Sequence, residues 1–222
     1  MKTIPFYIIF IVLTTHGACQ VKTHIPMINT SSKELNNKLL DKSYSLLFLS
    51  SNDNQVDTLW GEYKKHAFIE LVNDTTADDN VRFLAAEILF HKSDSFPPKN
   101  LYGALGNVYA NALKITGLSN SKFVLAANGW GFLYDRDDVG FIGKRFILIG
   151  EPAVKYLTNQ LENADQVMYE GSEEATIGNS YHYRIKDIAA FYISKIKNIP
   201  VKFYQNIEDR DKEIACLREL LK

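Results

Sequence analysis

The residues of this chain that could do chemistry lie mainly in one acidic segment. Residues 156–183 hold five Asp or Glu side chains and no Lys or Arg, and residues 162–174 are named the acidic loop here. Glu170, Glu173 and Glu174 form its densest part, and His182 and Asp187 follow it. Carboxylates beside a histidine are the groups that general acid–base catalysis or a metal site would use.

No spacing around these acids specifies a reaction. The motifs His-x-x-x-His, Cys-x-x-Cys and Gly-x-Ser-x-Gly do not accompany them. Residues 135–140 (DRDDVG) resemble the start of a calcium loop, but Val139 and Phe146 stand where an EF-hand carries ligands. We therefore predict no catalytic, metal or cofactor site, and interpret the acidic loop as a surface that binds a basic protein. A hydrolase that uses acidic-loop carboxylates with His182 is the alternative.

A second candidate surface lies at residues 119–138. Trp130 and Tyr134 could form an exposed aromatic anchor, a residue type that dominates protein interfaces, and core packing is the alternative. Asn128-Gly129 is a favoured dipeptide of type I′ turns, so residues 119–135 form either a small β-hairpin or a short helix that ends at Gly129. The predicted partner surface therefore combines these two aromatic residues with the three glutamates of the acidic loop.

The first 18 residues have the pattern of a signal peptide. Lys2 gives a positive start, the ten residues 4–13 (IPFYIIFIVL) carry no charge, and small residues lead into Cys19. A helix that crosses a membrane needs about 20 apolar residues, whereas a run of this length suits the central region of a signal peptide. We expect this segment to be cleaved and not retained as a membrane helix.

Two kinds of cleavage fit this segment. Gly17-Ala18-Cys19 resembles the end of a bacterial lipobox, in which the cysteine receives a diacylglycerol, although His16 stands where such boxes carry an aliphatic residue. An ordinary signal peptidase cutting after Ala18 would leave Cys19 as a free thiol, which is reactive. We expect lipidation of Cys19, with residues 19–30 as a tether that holds the domain outside the cytoplasm, in the periplasm or on the surface of a bacterial cell envelope.

Residues 31–222 have the periodicity of one mainly α domain. Apolar residues recur every three or four positions, and polar caps, glycine or proline separate the periodic segments. The pattern predicts helices over residues 31–40, 54–72, 78–90, 101–115, 139–149, 152–161 and 183–196, with a last helix that begins at Asp209 or Asp211. Residues 44–49 are apolar enough for more helix or a short strand.

Composition narrows the class of partner. The chain has 25 Lys and Arg against 26 Asp and Glu, a net charge of −1, which is not the basic balance that nucleic-acid binding favours.

Cys216 is the only cysteine besides Cys19, so no disulfide framework is required. In its leucine-containing helix Cys216 is expected to be a small buried side chain.

The region around residues 139–198 resembles the HEAT family of helical repeats. The resemblance rests on an amphipathic segment, a Gly-x-Pro turn, Ala-Val with spaced leucines, and then Arg with paired alanines: Gly150, Pro152, Ala153, Val154, Leu157, Leu161, Arg184, Asp187, Ala189 and Ala190. A long acidic loop stands where such a repeat has a short turn. The resemblance implies antiparallel helix pairs in an α-solenoid whose loops or concave face bind a partner.

These observations favour a lipid-anchored binding protein of the cell envelope without catalytic activity. An inhibitor or immunity protein that neutralises a basic toxin is one concrete form of this hypothesis. The membrane would be reached through the N-terminal lipid alone.

Lipidation of Cys19 can be tested in cells given a fatty-acid analogue. The acyl chains of a mature bacterial lipoprotein hold a protein stably on a membrane, so we expect the wild-type protein to incorporate the label. The Cys19→Ser variant should remain unlabelled. Equal labelling of the two proteins, or no label in either, would contradict lipidation.

Overall fold

The structure is a computed structural model that describes residues 30–50, 54–120, 125–131, 139–171 and 173–222. Its regular elements are helices, which confirms the predicted mainly α fold. Within this part of the chain, β-pairing is limited to two isolated bridges, Gly131 with Val139 and Gln166 with Arg184. The predicted signal peptide and Cys19 lie outside the described residues.

The described residues of the N-terminal half form five α-helices. They are α1 (Thr30–Leu39), α2 (Asn54–Glu62), α3 (Lys65–Asn73), α4 (Asp79–Lys92) and α5 (Tyr102–Lys114). The prediction of one helix over residues 54–72 is wrong, because Lys64 has extended backbone and separates α2 from α3. The apolar periodicity continues across this break, since Tyr63 and Phe68 are both buried. The sequence pattern therefore gave no sign of the break.

In the C-terminal half, the part of the chain that the structure describes contains five more α-helices. They are α6 (Lys144–Ile149), α7 (Glu151–Thr158), α8 (Glu173–Ser180), α9 (Ile185–Lys197) and α10 (Ile207–Leu220). Residues 44–49, which the sequence left as helix or strand, include a short π-helix, Ser45–Leu49. Within residues 119–135, where the sequence predicts a hairpin or a short helix, the structure has a 3₁₀ turn at Ala127–Trp130. Residues 121–124 and 132–138 lie outside the described residues.

Local chemistry explains where several of these helices begin. The Asp78 carboxylate accepts hydrogen bonds from the backbone N–H groups of Asn80 and Val81, which makes it the N-cap of α4 as the sequence indicates. Pro152 stands in the first turn of α7, where its missing N–H costs no hydrogen bond. The last helix starts earlier than predicted, because Asn206 and not Asp209 is its cap.

The helices pack largely in chain order. Helix α1 packs on α3, α3 on α4, α4 on α5, α5 on α7, α7 on α9 and α9 on α10. The facing side chains form one continuous apolar core that runs from Leu35 in α1 to Leu217 in α10. Cys216 is not part of it: its thiol is free and exposed, so the expectation of a buried cysteine is wrong.

A buried ionic network joins the start of α9 to α10. Asp187, which is fully buried, accepts hydrogen bonds from the Arg184 backbone N–H (2.8 Å), Nε (3.0 Å) and Nη2 (2.9 Å). Arg184 also donates to Asp211 in α10 (2.8 Å), and Lys186 approaches the same carboxylate at 2.8 Å. Burial opposes ionisation of Asp211, but the hydrogen bonds from these two cations lower its pKa overall.

Replacement of Asp187 by asparagine should destabilise the domain strongly. The change keeps the shape of the side chain but leaves Arg184 and the buried Arg210, whose Nε lies 3.5 Å away, facing a neutral group. We expect a loss of about 3 kcal/mol in the free energy of unfolding, measured by urea denaturation. Asp209→Asn, which breaks only an exposed pair with Lys212, should cost less than about 1 kcal/mol. Equal losses in the two variants would show that the Asp187 network does not stabilise the domain.

Candidate interaction groove

The 3₁₀ turn at Ala127–Trp130 is built into the core. Trp130 is completely buried, and its indole Nε1 donates a 3.0 Å hydrogen bond to Thr116 Oγ1 at the end of α5. The ring stacks on Phe146 of α6 with centroids 5.7 Å apart. Trp130 is therefore a core residue, and its assignment to an exposed aromatic anchor is wrong. Tyr134, the other half of that prediction, lies outside the described residues.

Three consecutive carbonyls of this turn accept hydrogen bonds from distant parts of the chain. The Gly129 carbonyl accepts from the backbone N–H of Ile142 (2.8 Å). The Trp130 carbonyl accepts from the hydroxyl of Tyr192 in α9, and the Gly131 carbonyl accepts from the hydroxyl of Tyr169 in the acidic loop (3.3 Å). Because buried carbonyls must be paired, the turn, α9 and the acidic loop hold one another in place.

A glycine brings the next segment against this turn. A Cβ atom at Gly140 would come closer than 3.0 Å to backbone atoms of Gly129, Trp130 and Gly131, so only glycine fits there. The approach fixes Phe141 directly beside the turn. Phe141 is 46% exposed, a large fraction for an aromatic side chain on a rigid support.

The acidic loop contains an extended segment that is paired along both edges without forming a regular strand. On one side, Val167 N–H donates to the Tyr183 carbonyl (2.9 Å) and Ile185 N–H donates to the Asp165 carbonyl (2.9 Å). On the other side, the Leu118 N–H donates to the Gln166 carbonyl and the Ala127 N–H donates to the Met168 carbonyl, both at 2.8 Å. Alternate side chains point outward as in a strand, and Met168 and Glu170 are both exposed.

Two asparagine side chains complete this pairing. Asn128 Oδ1 accepts from the Glu170 N–H (2.9 Å), and Asn128 Nδ2 donates to the Glu170 carbonyl (3.1 Å). Asn179 of α8 makes the same pair of bonds with Tyr169 (2.8 and 2.9 Å). Each amide side chain thus takes the place of a neighbouring strand and fixes the backbone that carries Glu170.

These elements enclose a groove of 430 Å³, here named the interaction groove. Its size falls in the range of binding sites for small molecules and side chains. The groove is lined by Ser43, Ser45, Leu49, Leu125, Ala126, Asn128, Gly129, Phe141 and Glu170. The groove therefore brings Glu170 of the acidic loop together with residues 125–129 of the 119–138 segment. The sequence analysis predicted that these two parts of the chain contribute to one partner surface.

The π-helix forms one wall of the interaction groove. Leu49 is 63% exposed there, while Leu47 of the same helix is buried and anchors it to the core. π-Helices are rare and occur often at functional sites, because their wider backbone re-aims side chains. Leu49 and Phe141 were missed by the sequence analysis. The only signal for Phe141 was its place between Gly140 and Ile142, where a glycine among apolar residues indicates close backbone approach.

Glu170 supplies the charge of the interaction groove. Two other acids of the acidic loop are already engaged, since Glu162 pairs with Arg218 and Asp165 accepts from Ser119 Oγ (2.5 Å). The Glu170 carboxylate has no hydrogen-bond or ionic partner among the described residues. Glu173 and Glu174 begin α8, where the helix dipole favours acids, and their side chains lie outside the described part.

Asp187 and His182, the two residues after the acidic loop that acid–base chemistry could use, lie in different surroundings. Asp187 is buried in the ionic network with Arg184, and His182 is exposed in a left-handed backbone conformation (φ 51°) after α8. Among the described residues, no hydrogen bond joins the His182 imidazole to a carboxylate. In the same part of the chain, no cluster of three or more His, Cys, Asp or Glu side chains has the arrangement of a metal site.

A larger cavity, 620 Å³, lies at the N-terminus of α4 and includes Asp78 and Asp79. Two of its three acids are used within the fold, because Asp78 caps α4 and Asp79 accepts from Asn111 Nδ2 (2.8 Å), and the third, Asp41, is exposed beside Lys42. This cavity has no aromatic side chain among its described lining residues, whereas Phe141 lines the interaction groove together with Glu170, so the interaction groove is the stronger candidate for a protein-binding surface.

A second buried ionic cluster joins α4, α5 and α6. Glu87 accepts from the Tyr109 hydroxyl and from Arg145 Nε (3.0 Å). Burial and the Glu87 charge raise the pKa of Tyr109 well above its usual value, so the phenol stays protonated and donates. The three groups satisfy one another and support the core.

Comparison of the chain with models of protein families, with curated proteins and with solved structures found no significant match. Within the described residues, no helix combines the length and apolar character that crossing a membrane requires. The groove geometry is therefore the main basis for a functional hypothesis.

Substitution of Gly140 by alanine should disrupt the support of the interaction groove. The new Cβ would overlap backbone atoms that cannot move without breaking the turn, so we expect a loss of more than about 2 kcal/mol in the free energy of unfolding. Gly103→Ala is the matched control, because nothing lies within 4 Å of a Cβ placed there in α5. It should be neutral or stabilise by up to about 1 kcal/mol. A stable Gly140→Ala protein would contradict the close approach.

Proposed function

We propose that this chain is a lipid-anchored, non-catalytic protein of the bacterial cell envelope that binds a basic protein at the interaction groove. The observation that carries the proposal is the Asn128 to Glu170 pairing. It holds the Glu170 carboxylate, which has no partner among the described residues, beside two exposed apolar side chains, Leu49 and Phe141. An apolar centre with a charged rim is the usual composition of a protein-binding surface.

The acidic surroundings of the groove supply the preference for a basic partner. Glu170 is followed by Glu173 and Glu174, and residues 156–183 hold no Lys or Arg. Exposed charges of one sign attract an opposite surface, and they act on the rate of encounter more than on the strength of the final complex. An inhibitor or immunity protein that neutralises a basic toxin is one form of this function.

The HEAT-like arrangement is part of the same proposal. Helices α7 and α9, which hold most of the residues of the resemblance, pack directly on each other, and α5 packs on α7. Gly150 has a positive φ of 67° in the tight turn between α6 and α7, the position of the glycine in the resemblance. A short stack of this kind supports loops at one edge, where partners of helical repeats commonly bind.

The proposal can be tested with the mature domain and a partner captured from cell-envelope extracts. Replacing Glu170, Glu173 and Glu174 with glutamine should lower the association rate about tenfold at low salt, since their joint field steers encounter. The effect should shrink as salt rises, because the Debye length is about 8 Å at physiological ionic strength. We expect folding to change little, since an exposed acid such as Glu170 contributes little stability.

A triple variant of Asp94, Glu208 and Glu219 is the matched control. These acids are exposed, none lines the interaction groove, and their neutralisation removes the same charge. We expect its association rate to equal that of the wild type. An association rate that is insensitive to both the groove substitutions and salt would contradict docking at the groove. Loss of a hydrolytic activity on replacing His182 alone would favour the alternative enzyme.

A further inference from the structure

The interaction groove has one charged residue among its described lining residues, and its remaining walls are apolar or neutral. Leu49, Leu125 and Phe141 provide the apolar surface, and Glu170 provides the charge. An occupant that satisfies both parts needs an apolar stem and a cationic head. The side chains of arginine and lysine have this construction, because their methylene stems pack on apolar surface while the head remains charged.

We propose that the interaction groove binds an arginine side chain of the partner, with its guanidinium against Phe141 and paired with Glu170. This inference rests on the proposed binding function and names the group that is recognised. Arginine suits the site better than lysine, since its planar guanidinium stacks on an aromatic ring and offers a fork of donors to a carboxylate. An ammonium group is more strongly hydrated and lacks the flat face.

The chain holds its own arginines in this way. The Arg145 guanidinium lies 3.8 Å above the centre of the Phe90 ring while its Nε donates to Glu87 (3.0 Å). Arg210 likewise lies 5.0 Å from the centre of the Tyr183 ring, with its Nε 3.5 Å from Asp187. For Arg145 a ring and a hydrogen-bonded carboxylate together hold the guanidinium. For Arg210 a ring and a nearby carboxylate are also present, and backbone carbonyls of Tyr204 (2.8 Å) and Tyr181 (2.9 Å) accept its hydrogen bonds. Phe141 and Glu170 offer the same pair of groups on the surface.

The rest of the groove leaves Glu170 available for such a ligand. Both polar ends of the Asn128 amide are occupied by the Glu170 backbone, so this amide does not compete for the carboxylate. A purely apolar occupant would remove water from the carboxylate without replacing its hydrogen bonds, which is costly. The cationic head avoids that loss.

N-acetyl-arginine amide is the probe, and the neutral citrulline derivative of the same shape is its control. Titration of the isotope-labelled mature domain, followed by amide resonances in NMR, should give saturable shifts at Gly129, Phe141 and Glu170 with a millimolar Kd. The citrulline derivative should bind about tenfold more weakly, because it lacks the charge-assisted hydrogen bonds. Glu170→Gln should reduce arginine binding to the citrulline level, and Phe141→Leu should weaken it while keeping the groove filled.

Asp94→Asn is the control for net charge. Asp94 is exposed just after α4 and does not line the interaction groove. The variant should bind the arginine derivative as the wild type does. Equal shifts with arginine and citrulline derivatives, or no saturable shift at groove residues, would overturn the inference. If those outcomes were found but a captured partner still associated more slowly with the triple glutamine variant of Glu170, Glu173 and Glu174, the proposed function would stand without the arginine site.

Discussion

The fold around the candidate site depends on one constraint, the burial of the backbone turn at residues 129–131. A buried turn exposes several carbonyls to the core, and each must find a donor or cost free energy. Here the donors come from Ile142, from Tyr192 of α9 and from Tyr169 of the acidic loop. Since each donor belongs to a different segment, satisfying the turn also fixes the positions of Phe141 and of the backbone that leads to Glu170. The groove is thus a consequence of how the core pairs its polar groups.

The same requirement explains how a mainly helical protein can hold a long loop in one conformation. The segment at residues 165–170 belongs to no regular sheet, but backbone groups of Leu118, Ala127, Tyr183 and Ile185 pair with it. The amide side chains of Asn128 and Asn179 supply the remaining donors and acceptors at Glu170 and Tyr169. At the start of the segment, the Asp165 carboxylate accepts from Ser119. Arg184, which follows Tyr183 in the paired backbone, binds Asp187 and Asp211. A loop fixed at this many points can present a charged side chain without a large entropic penalty on binding.

Local signals in the sequence predicted much of the fold. The cap at Asp78, the proline of α7 and the apolar periodicity of α4, α5 and α9 each depend on residues within a few positions, and the structure has helices at these places. The break between α2 and α3 falls at Lys64, which is neither glycine nor proline. The continuous apolar periodicity therefore predicted one helix instead of two. Trp130 was misassigned because its burial depends on Thr116 and on Tyr192, which is 62 positions further along the chain. The acidic loop was identified by composition, but its neighbours in the groove, Leu49 and Phe141, come together only through tertiary packing.

The most direct test of this account is amide hydrogen exchange in the Tyr192→Phe variant. Removing the hydroxyl leaves the buried Trp130 carbonyl without this donor, which should cost about 1–3 kcal/mol of local stability. The account predicts that the amides of Ile142, Ala127 and Glu170 lose protection together, while amides in α4 and α10 keep theirs. Unchanged protection at Ile142 and Glu170, or equal loss of protection throughout the helices, would show that the turn does not hold the two sides of the interaction groove.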